Sequence, residues 1–213
     1  MLSLTINLLN GLDQVYKSLR VYIDERLAWT EKIDKASKKI SSAIGGLKQV
    51  RPFVDKETAI IIYNSTYYFY YCDIVWDNLP LTQAIRLQKL QNRAARVINQ
   101  VGYDIRSHTI REELGWETLV SRRLKHKAIM MYKVLNGLAP SYLSELFQFN
   151  STSLTYGLRE SGTNVVLAKP KTEYLKKSFK FSGAKLWNDL PLITKMQNTM
   201  TSFKRELPPF SSL

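Results

Sequence analysis

The chain has 213 residues, of which 45% are hydrophobic and 11% aromatic, a composition typical of a folded globular protein. It carries 31 Lys and Arg against 18 Asp and Glu, so its formal net charge of +13 favours a polyanionic partner, either nucleic acid or an anionic surface. The single cysteine, Cys72, excludes a disulfide framework. The most apolar run, Ala59 to Cys72, is interrupted by polar residues and is shorter than the ~20 residues of a membrane span. We therefore expect a soluble intracellular protein, nuclear or cytoplasmic, that binds no membrane.

The opening of the chain alternates apolar and polar residues, which indicates extended structure. Residues 15–24 alternate as one strand, Asp24 begins the segment expected to turn the chain, and Leu2, Leu4 and Ile6 predict a second short strand. Residues 1–30 hold three basic and three acidic side chains, so the positive excess begins after this segment. A β-hairpin is therefore predicted within residues 1–29.

The middle of the chain, residues 30–147, has the three- and four-residue apolar spacing of helices. The first helix contains Gly45-Gly46, which predicts either a close crossing with another helix or the end of this one. Asp55 is the expected N-cap of a second helix that extends to Cys72, is apolar on all sides and therefore lies at the centre. Further helices are predicted over about Thr82–Val101, Ser107–Gly115 and Thr118–Asn136. The predicted fold class is mainly α, a helical bundle.

Beyond residue 147 the pattern changes to shorter elements. Residues 148–164 are polar and rich in turn-forming residues, which predicts a loop or linker. Residues 165–213 begin with a short β run, Val165–Leu167, and continue with an alternating pair, Phe179 and Phe181, and short helices. This combination predicts a small mixed α/β C-terminal region.

No motif for catalysis or metal binding occurs in the chain. There is no glycine-rich phosphate loop, no G-x-S-x-G and no H-E-x-x-H, and the adjacent aspartates that many polymerases use to hold two metals never occur. His108 and His126 lack the spacing of a ligand pair and are interpreted as surface or capping residues. Asp73 and Asp77 share helical spacing but have no third ligand in the sequence around them. We predict no catalytic residue and no metal ligand, which argues against an enzyme.

Two clusters of basic residues indicate a binding surface. The basic stripe lies on the predicted third helix within an arc of about 80° and has no acid among its neighbours; it consists of Arg86, Lys89, Arg93 and Arg96. The second cluster begins the long helix and is also free of acids; it consists of Arg122, Arg123, Lys125, His126 and Lys127. Cations in a row match a row of phosphates, and each contact adds salt-dependent affinity. The prediction is binding to the nucleic-acid backbone without base reading, with a merely solvated charged surface as the alternative.

The aromatic-rich run from Tyr63 to Trp76 has two interpretations. Its side chains either pack around a central helix, which we expect, or provide stacking platforms for single strands.

Several longer sequence segments resemble one protein family. They are Ser65–Asn78 (STYYFYYCDIVWDN), Arg86–Val97 (RLQKLQNRAARV), Glu113–Glu117 (ELGWE), Met131–Leu143 (MYKVLNGLAPSYL) and Phe179–Pro191 (FKFSGAKLWNDLP). In the residues, order and spacing of these segments the chain resembles the C-terminal part of jockey-like non-LTR (LINE-type) retrotransposon reverse transcriptases. The resemblance covers nearly all residues from about 10 to 206.

The resemblance implies a polymerase without its catalytic centre. In that family the palm precedes this region and carries an aromatic-Ala-Asp-Asp motif that binds two Mg²⁺ ions, and no such motif occurs here. The resemblance implies that residues 15–24 end the palm and that residues 30–137 form the thumb, which grips template–primer duplex by its backbone. The family usually has Lys-x-Leu-Gly in the hairpin, where this chain has Lys17-Ser18-Leu19-Arg20. It implies no mechanism for the region from Ala139 onward and no cofactor for this chain.

Two functions of different classes follow. The first is a polymerase-derived chain that cannot polymerise but retains non-specific affinity for nucleic acid, either template–primer duplex or RNA. The alternative is a helical interaction module whose basic surface binds an acidic protein partner. Competition by heparin, duplex DNA and RNA–DNA hybrid distinguishes the two.

Overall fold

The structure is a computed structural model that describes residues 15–18, 21–24, 27–65, 72–150 and 161–210. Over these residues the chain is mainly helical, as predicted. The described helices are α1 (Thr30–Val50), α2 (Lys56–Asn64), α3 (Leu81–Asn99), α4 (Ser107–Glu113), α5 (Leu119–Leu135), α6 (Ser141–Ser144), α7 (Glu173–Lys177), α8 (Phe179–Asp189), α9 (Leu192–Lys195) and α10 (Met200–Arg205). Short 3₁₀ turns occupy Arg51–Phe53 and Ser161–Thr163.

The extended opening segment forms two strands and not the single strand that its alternation predicted. Strands β1 (Val15–Ser18) and β2 (Val21–Asp24) pair antiparallel, with Ser18 opposite Val21. The Asp24 carboxylate then accepts hydrogen bonds from the backbone N–H groups of Ala28, at 2.6 Å, and Trp29, which fixes the chain at the start of α1. The strand predicted at Leu2, Leu4 and Ile6 and the departure from the family pattern at Arg20 lie outside the described residues.

Helices α1 and α3 form the main pair of the first hydrophobic core. Their buried residues recur at three- and four-residue steps, because that spacing places side chains on one face of a helix. In α1 these are Ile33, Ile40, Ile44 and Leu47, and in α3 they are Leu87, Ala94 and Ile98. Trp76, buried to 1% exposure, and Tyr63, which stacks on Trp116, belong to the same core, so these two aromatic residues pack inside as predicted.

The glycine pair in α1 has neither of the predicted roles. The helix continues through Gly45 and Gly46 to Val50, so the pair does not end it. A Cβ atom added at either glycine would meet nothing within 4 Å, so no described element crosses closely there. Nothing in the structure explains why glycine occupies these positions.

Helix α2 starts as predicted but does not lie at the centre. The Asp55 carboxylate accepts a hydrogen bond from the Thr58 backbone N–H at 2.7 Å, which confirms the N-cap. The helix ends at Asn64, and Cys72 lies in a turn with a positive φ of 56°. Because Ala59 is buried whereas Ile61 is 67% exposed, α2 covers the core with one face only.

A second hydrophobic core joins α5 to the C-terminal helices. Ala128, Met131 and Tyr132 are fully buried, and they pack with Ala184 and Trp187 of α8 and Phe203 of α10. The Tyr132 ring lies 4.4 Å from that of Phe203, and its hydroxyl donates a hydrogen bond to the Gln197 carbonyl at 3.0 Å. Because α5 serves this core while its first residue, Leu119, serves the other, α5 links the two halves of the described structure.

The mixed α/β C-terminal region is not seen. Among the described residues beyond 160, Val165 makes only an isolated antiparallel bridge to Phe149. Phe179 and Phe181, predicted as an alternating segment, begin α8 instead. The Ser178 side chain caps this helix by accepting a hydrogen bond from the Phe181 N–H. A cap followed by a one-sided apolar face therefore determines the local structure, and two alternating residues do not.

Candidate nucleic-acid interface

The basic stripe lies along α3, and its four residues differ in availability. The face of α3 that carries Leu87, Ala94 and Ile98 is buried, which turns Lys89 and Arg93 to the solvent. Both are exposed, and neither forms an ion pair with any described residue. These two cations are free to contact phosphates.

Arg86 is partly neutralised by an acid that is distant in the sequence. Its guanidinium forms an ion pair with Asp34 of α1, and both side chains remain more than 40% exposed. Exposed pairs of this kind contribute only about 0–1 kcal/mol, so the pair can open, but it lowers the local positive potential. The sequence of α3 alone therefore does not show that an acid from α1 lies beside the basic stripe.

Arg96 holds a loop in place and keeps its charge. Its guanidinium donates to the backbone carbonyls of Gly102, at 3.2 Å, and Ile105, at 2.9 Å. The same group lies 4.9 Å from the centroid of the Tyr103 ring. Since carbonyl oxygens carry no net charge, Arg96 remains an unneutralised cation at the end of α3.

The second cluster is not the exposed row that was predicted. Arg123 and Lys127 are buried, at 4% and 5% exposure. Lys127 forms an ion pair with Asp77 and donates a hydrogen bond to the Ser182 hydroxyl at 3.2 Å. Arg123 lies over the Trp76 ring, with 5.6 Å between the guanidinium carbon and the ring centroid. Neither side chain is placed to reach a phosphate.

The acids that neutralise this cluster come mainly from the turn at residues 72–78. His126 Nδ1 lies 2.6 Å from the Asp73 carboxylate, and Lys125 pairs with Glu117 at 2.8 Å.

Burial raises the pKa of Asp77, while the Lys127 charge acts in the opposite direction. Burial likewise lowers the pKa of Arg123, against the attraction of Asp77 and Asp73. Arg122 is half-buried and has an interaction of its own. The second cluster ties the turn to α5.

A basic cleft, which the sequence did not indicate, lies between the C-terminal ends of α1 and α3. Its volume is about 380 Å³, and it is lined by Lys48 of α1, by Arg51 of the 3₁₀ turn that follows, and by Arg93 and Arg96 of α3. The Arg51 guanidinium donates to the carbonyls of Ile98 and Val54, each at 2.7 Å. The cleft is lined by Lys48, Arg51, Pro52, Arg93, Arg96, Val97, Gln100, Val101, Gly102 and Tyr103.

No acid is among the residues that line the basic cleft, although the Asp55 carboxylate lies close enough to Arg51 for the two charges to attract each other. Lys48 is exposed and, like Arg93, forms no ion pair with a described residue. Lys48 and Arg93 are far apart in the sequence, and only the crossing of α1 and α3 brings them together. The available signal was a lysine in the last turn of α1, which alone does not indicate a site.

The described residues contain no group of three or more His, Cys, Asp or Glu side chains placed to hold a metal ion. Within the same residues, no helix has both the length and the apolar character that crossing a membrane requires. Comparison with protein-family models, with curated proteins and with solved structures finds no match to this chain. The resemblance to reverse transcriptases therefore stays a prediction from the sequence segments.

Proposed function

We propose that the protein binds nucleic acid without sequence specificity, through contacts to the phosphate backbone. The observation that supports this most directly is the set of exposed, acid-free cations on two packed helices: Lys89 and Arg93 of α3 and Lys48 of α1. Surfaces of this kind bind polyanions by releasing condensed counterions, whatever the base sequence. The polar side chains beside them form no base-reading motif, so contacts to phosphate dominate.

The proposed origin of this surface is a jockey-like non-LTR retrotransposon reverse transcriptase, of which the chain is similar to the C-terminal part. This origin is supported by the similar sequence segments and by a mainly helical chain that presents basic residues on α3. In this proposal α1 to α5 correspond to the thumb, which holds duplex by its backbone.

Polymerisation is not assigned to these residues. The sequence contains no adjacent aspartates to hold two metal ions. We expect the purified chain to add no nucleotide to a primed template in the presence of Mg²⁺ or Mn²⁺, and incorporation above background would contradict this part of the proposal.

Binding to labelled duplex DNA, followed by fluorescence anisotropy at increasing salt, tests the proposed function. We expect log affinity to fall linearly with log salt concentration, similarly for unrelated duplex sequences, with unlabelled RNA–DNA hybrid and heparin as competitors. Absence of binding at low salt, or affinity that does not depend on salt, would contradict the proposal. Indifference to duplex, hybrid and heparin alike would favour an acidic protein partner.

A further inference from the structure

We infer that the basic cleft binds one nucleotide of a single strand, with the phosphate between Lys48 and Arg93 and the base stacked on Tyr103. The inference rests on the proposed function, because it gives one part of the basic surface a more specific ligand. It adds a distinction that backbone contacts do not make, namely a preference for unpaired bases at this position.

The charges of the basic cleft favour an anion. Four cations line it and no acid does, although the Asp104 carboxylate lies next to Gly102 of the lining. Two of the cations, Arg51 and Arg96, are fixed by backbone carbonyls, which carry no net charge, and Asp55 offsets part of the Arg51 charge from outside the cleft. Like charges held in a concave site repel each other, and a bound phosphate removes that cost while the walls of the cleft concentrate the field.

Its size suits a nucleotide and not an extended groove contact. A volume of about 380 Å³ falls at the lower end of the range for small-molecule pockets. Lys48 and Arg93 form no ion pair with the described residues, so their hydrogen-bond donors are available to phosphate oxygens.

Tyr103 supplies the surface for the base. It lies on the loop after α3 at the rim of the basic cleft and is 80% exposed. Arg96 lies 4.9 Å from its ring centroid and is itself anchored to Gly102 and Ile105. A cation thus lies over a ring that is otherwise mostly exposed, an arrangement that suits stacking of a base. Bases within a duplex already stack on one another, so only an unpaired base can use this face.

The test compares three probes with the same protein: an oligothymidylate of about 12 nucleotides, an abasic strand of equal length, and a duplex. The abasic strand keeps the phosphates but removes the bases. We expect Tyr103→Ala to weaken binding of the oligothymidylate about tenfold, with little change for the abasic strand or the duplex. Tyr103→Phe keeps the ring and is expected to bind as the wild type does.

Tyr142→Ala is the matched control, because Tyr142 lies on α6 and is 65% exposed, so its loss should leave all three affinities unchanged. Lys48→Gln should weaken all three probes through the lost phosphate contact. If Tyr103→Ala changes no affinity, or weakens all three probes equally, the inference is wrong while the proposed function stands. If the wild type binds none of the probes, both are wrong.

Discussion

At the scale of single residues, Asp55 shows how one carboxylate starts a helix. Its hydrogen bond with the Thr58 backbone N–H holds the pKa of the carboxyl below the ordinary value of about 3.8. A lower pKa in the folded state means that the stabilisation is present above the ordinary value and is lost as the pH falls through the folded pKa. The cap therefore contributes at neutral pH and fades in acid.

Replacing this cap should give a stability loss that depends on pH. Asp55→Ala is expected to lower the midpoint of thermal unfolding at neutral pH, and the difference from the wild type should narrow as the carboxyl is protonated. Circular dichroism melts between neutral pH and about pH 2 measure this. Asp55→Ser, which keeps a capping oxygen, is the control. A difference that stays constant through the acid range would contradict the assignment.

Gly46 provides a second test at this scale. It is exposed within α1, and a Cβ atom there would meet nothing within 4 Å. Gly46→Ala should therefore raise the free energy of unfolding by about 0.5–1 kcal/mol, because alanine loses less conformational freedom on folding. Gly137→Ala is the opposite case, since φ is +69° there and a side chain is strained. A loss of stability in Gly46→Ala, measured by urea unfolding, would show that another group approaches this helix closely.

At the scale of elements, the turn at residues 72–78 is held to α5 by buried charges. Lys127 and Asp77 are both less than 10% exposed in their side chains, and they form an ion pair. Breaking a buried pair on one side leaves a charge without its partner, whereas replacing both residues by apolar ones costs less. The helix and the turn therefore depend on each other through this pair.

A double-mutant cycle in urea unfolding measures this coupling. Lys127→Met is expected to reduce the free energy of unfolding by about 3 kcal/mol, and Asp77→Leu combined with it should cost less than the sum of the two single changes. Lys125→Met is the control, because its pair with Glu117 is more than one third exposed and should contribute less than about 1 kcal/mol. Equal losses in Lys127→Met and Lys125→Met would contradict the role given to the buried pair.

Elements with strong local signals were predictable from the sequence. Helix α3 has a continuous apolar face with cations beside it, and the Asp55 side chain accepts the hydrogen bond expected of a cap. The start of α5 near Thr118 was also predicted, and there the Thr118 hydroxyl accepts a hydrogen bond from the Ser121 N–H. The start of helix α8 was missed because Phe179 and Phe181 alternate over only three residues and the cap at Ser178 was not recognised, whereas a short helix was predicted at Leu186 and Trp187. A short hydrophobic pattern gives the wrong secondary structure where a single capping side chain starts a helix.

The site was less predictable than the fold, because availability of a charge depends on residues far away in the sequence. Nothing near Arg86 or Lys127 in the chain indicates Asp34 or Asp77, yet these acids neutralise them. Conversely, Lys48 and Arg93 become one site only because α1 crosses α3. The structure assigns some of the predicted cations to packing and leaves others on the surface, and their role in binding stays a prediction.

At the scale of the whole molecule, α5 contributes to both hydrophobic cores. The basic residues that give the net charge of +13 have different structural roles. Buried and paired cations such as Lys127 connect elements of the fold, whereas Lys48, Lys89 and Arg93 are exposed and form no ion pair with a described residue. We therefore predict that only a subset of the basic residues contributes to binding.

The most direct test is the salt dependence of duplex binding by Lys89→Gln/Arg93→Gln, compared with Lys180→Gln/Lys204→Gln. Both double variants lose two exposed cations, but the control pair lies on α8 and α10. We predict that the first variant binds more weakly and that its slope of log affinity against log salt is smaller in magnitude by roughly 2, about 0.9 per lost phosphate contact. The control should keep the wild-type slope. An unchanged slope in Lys89→Gln/Arg93→Gln, or the same reduction in both variants, would contradict a binding surface on α3.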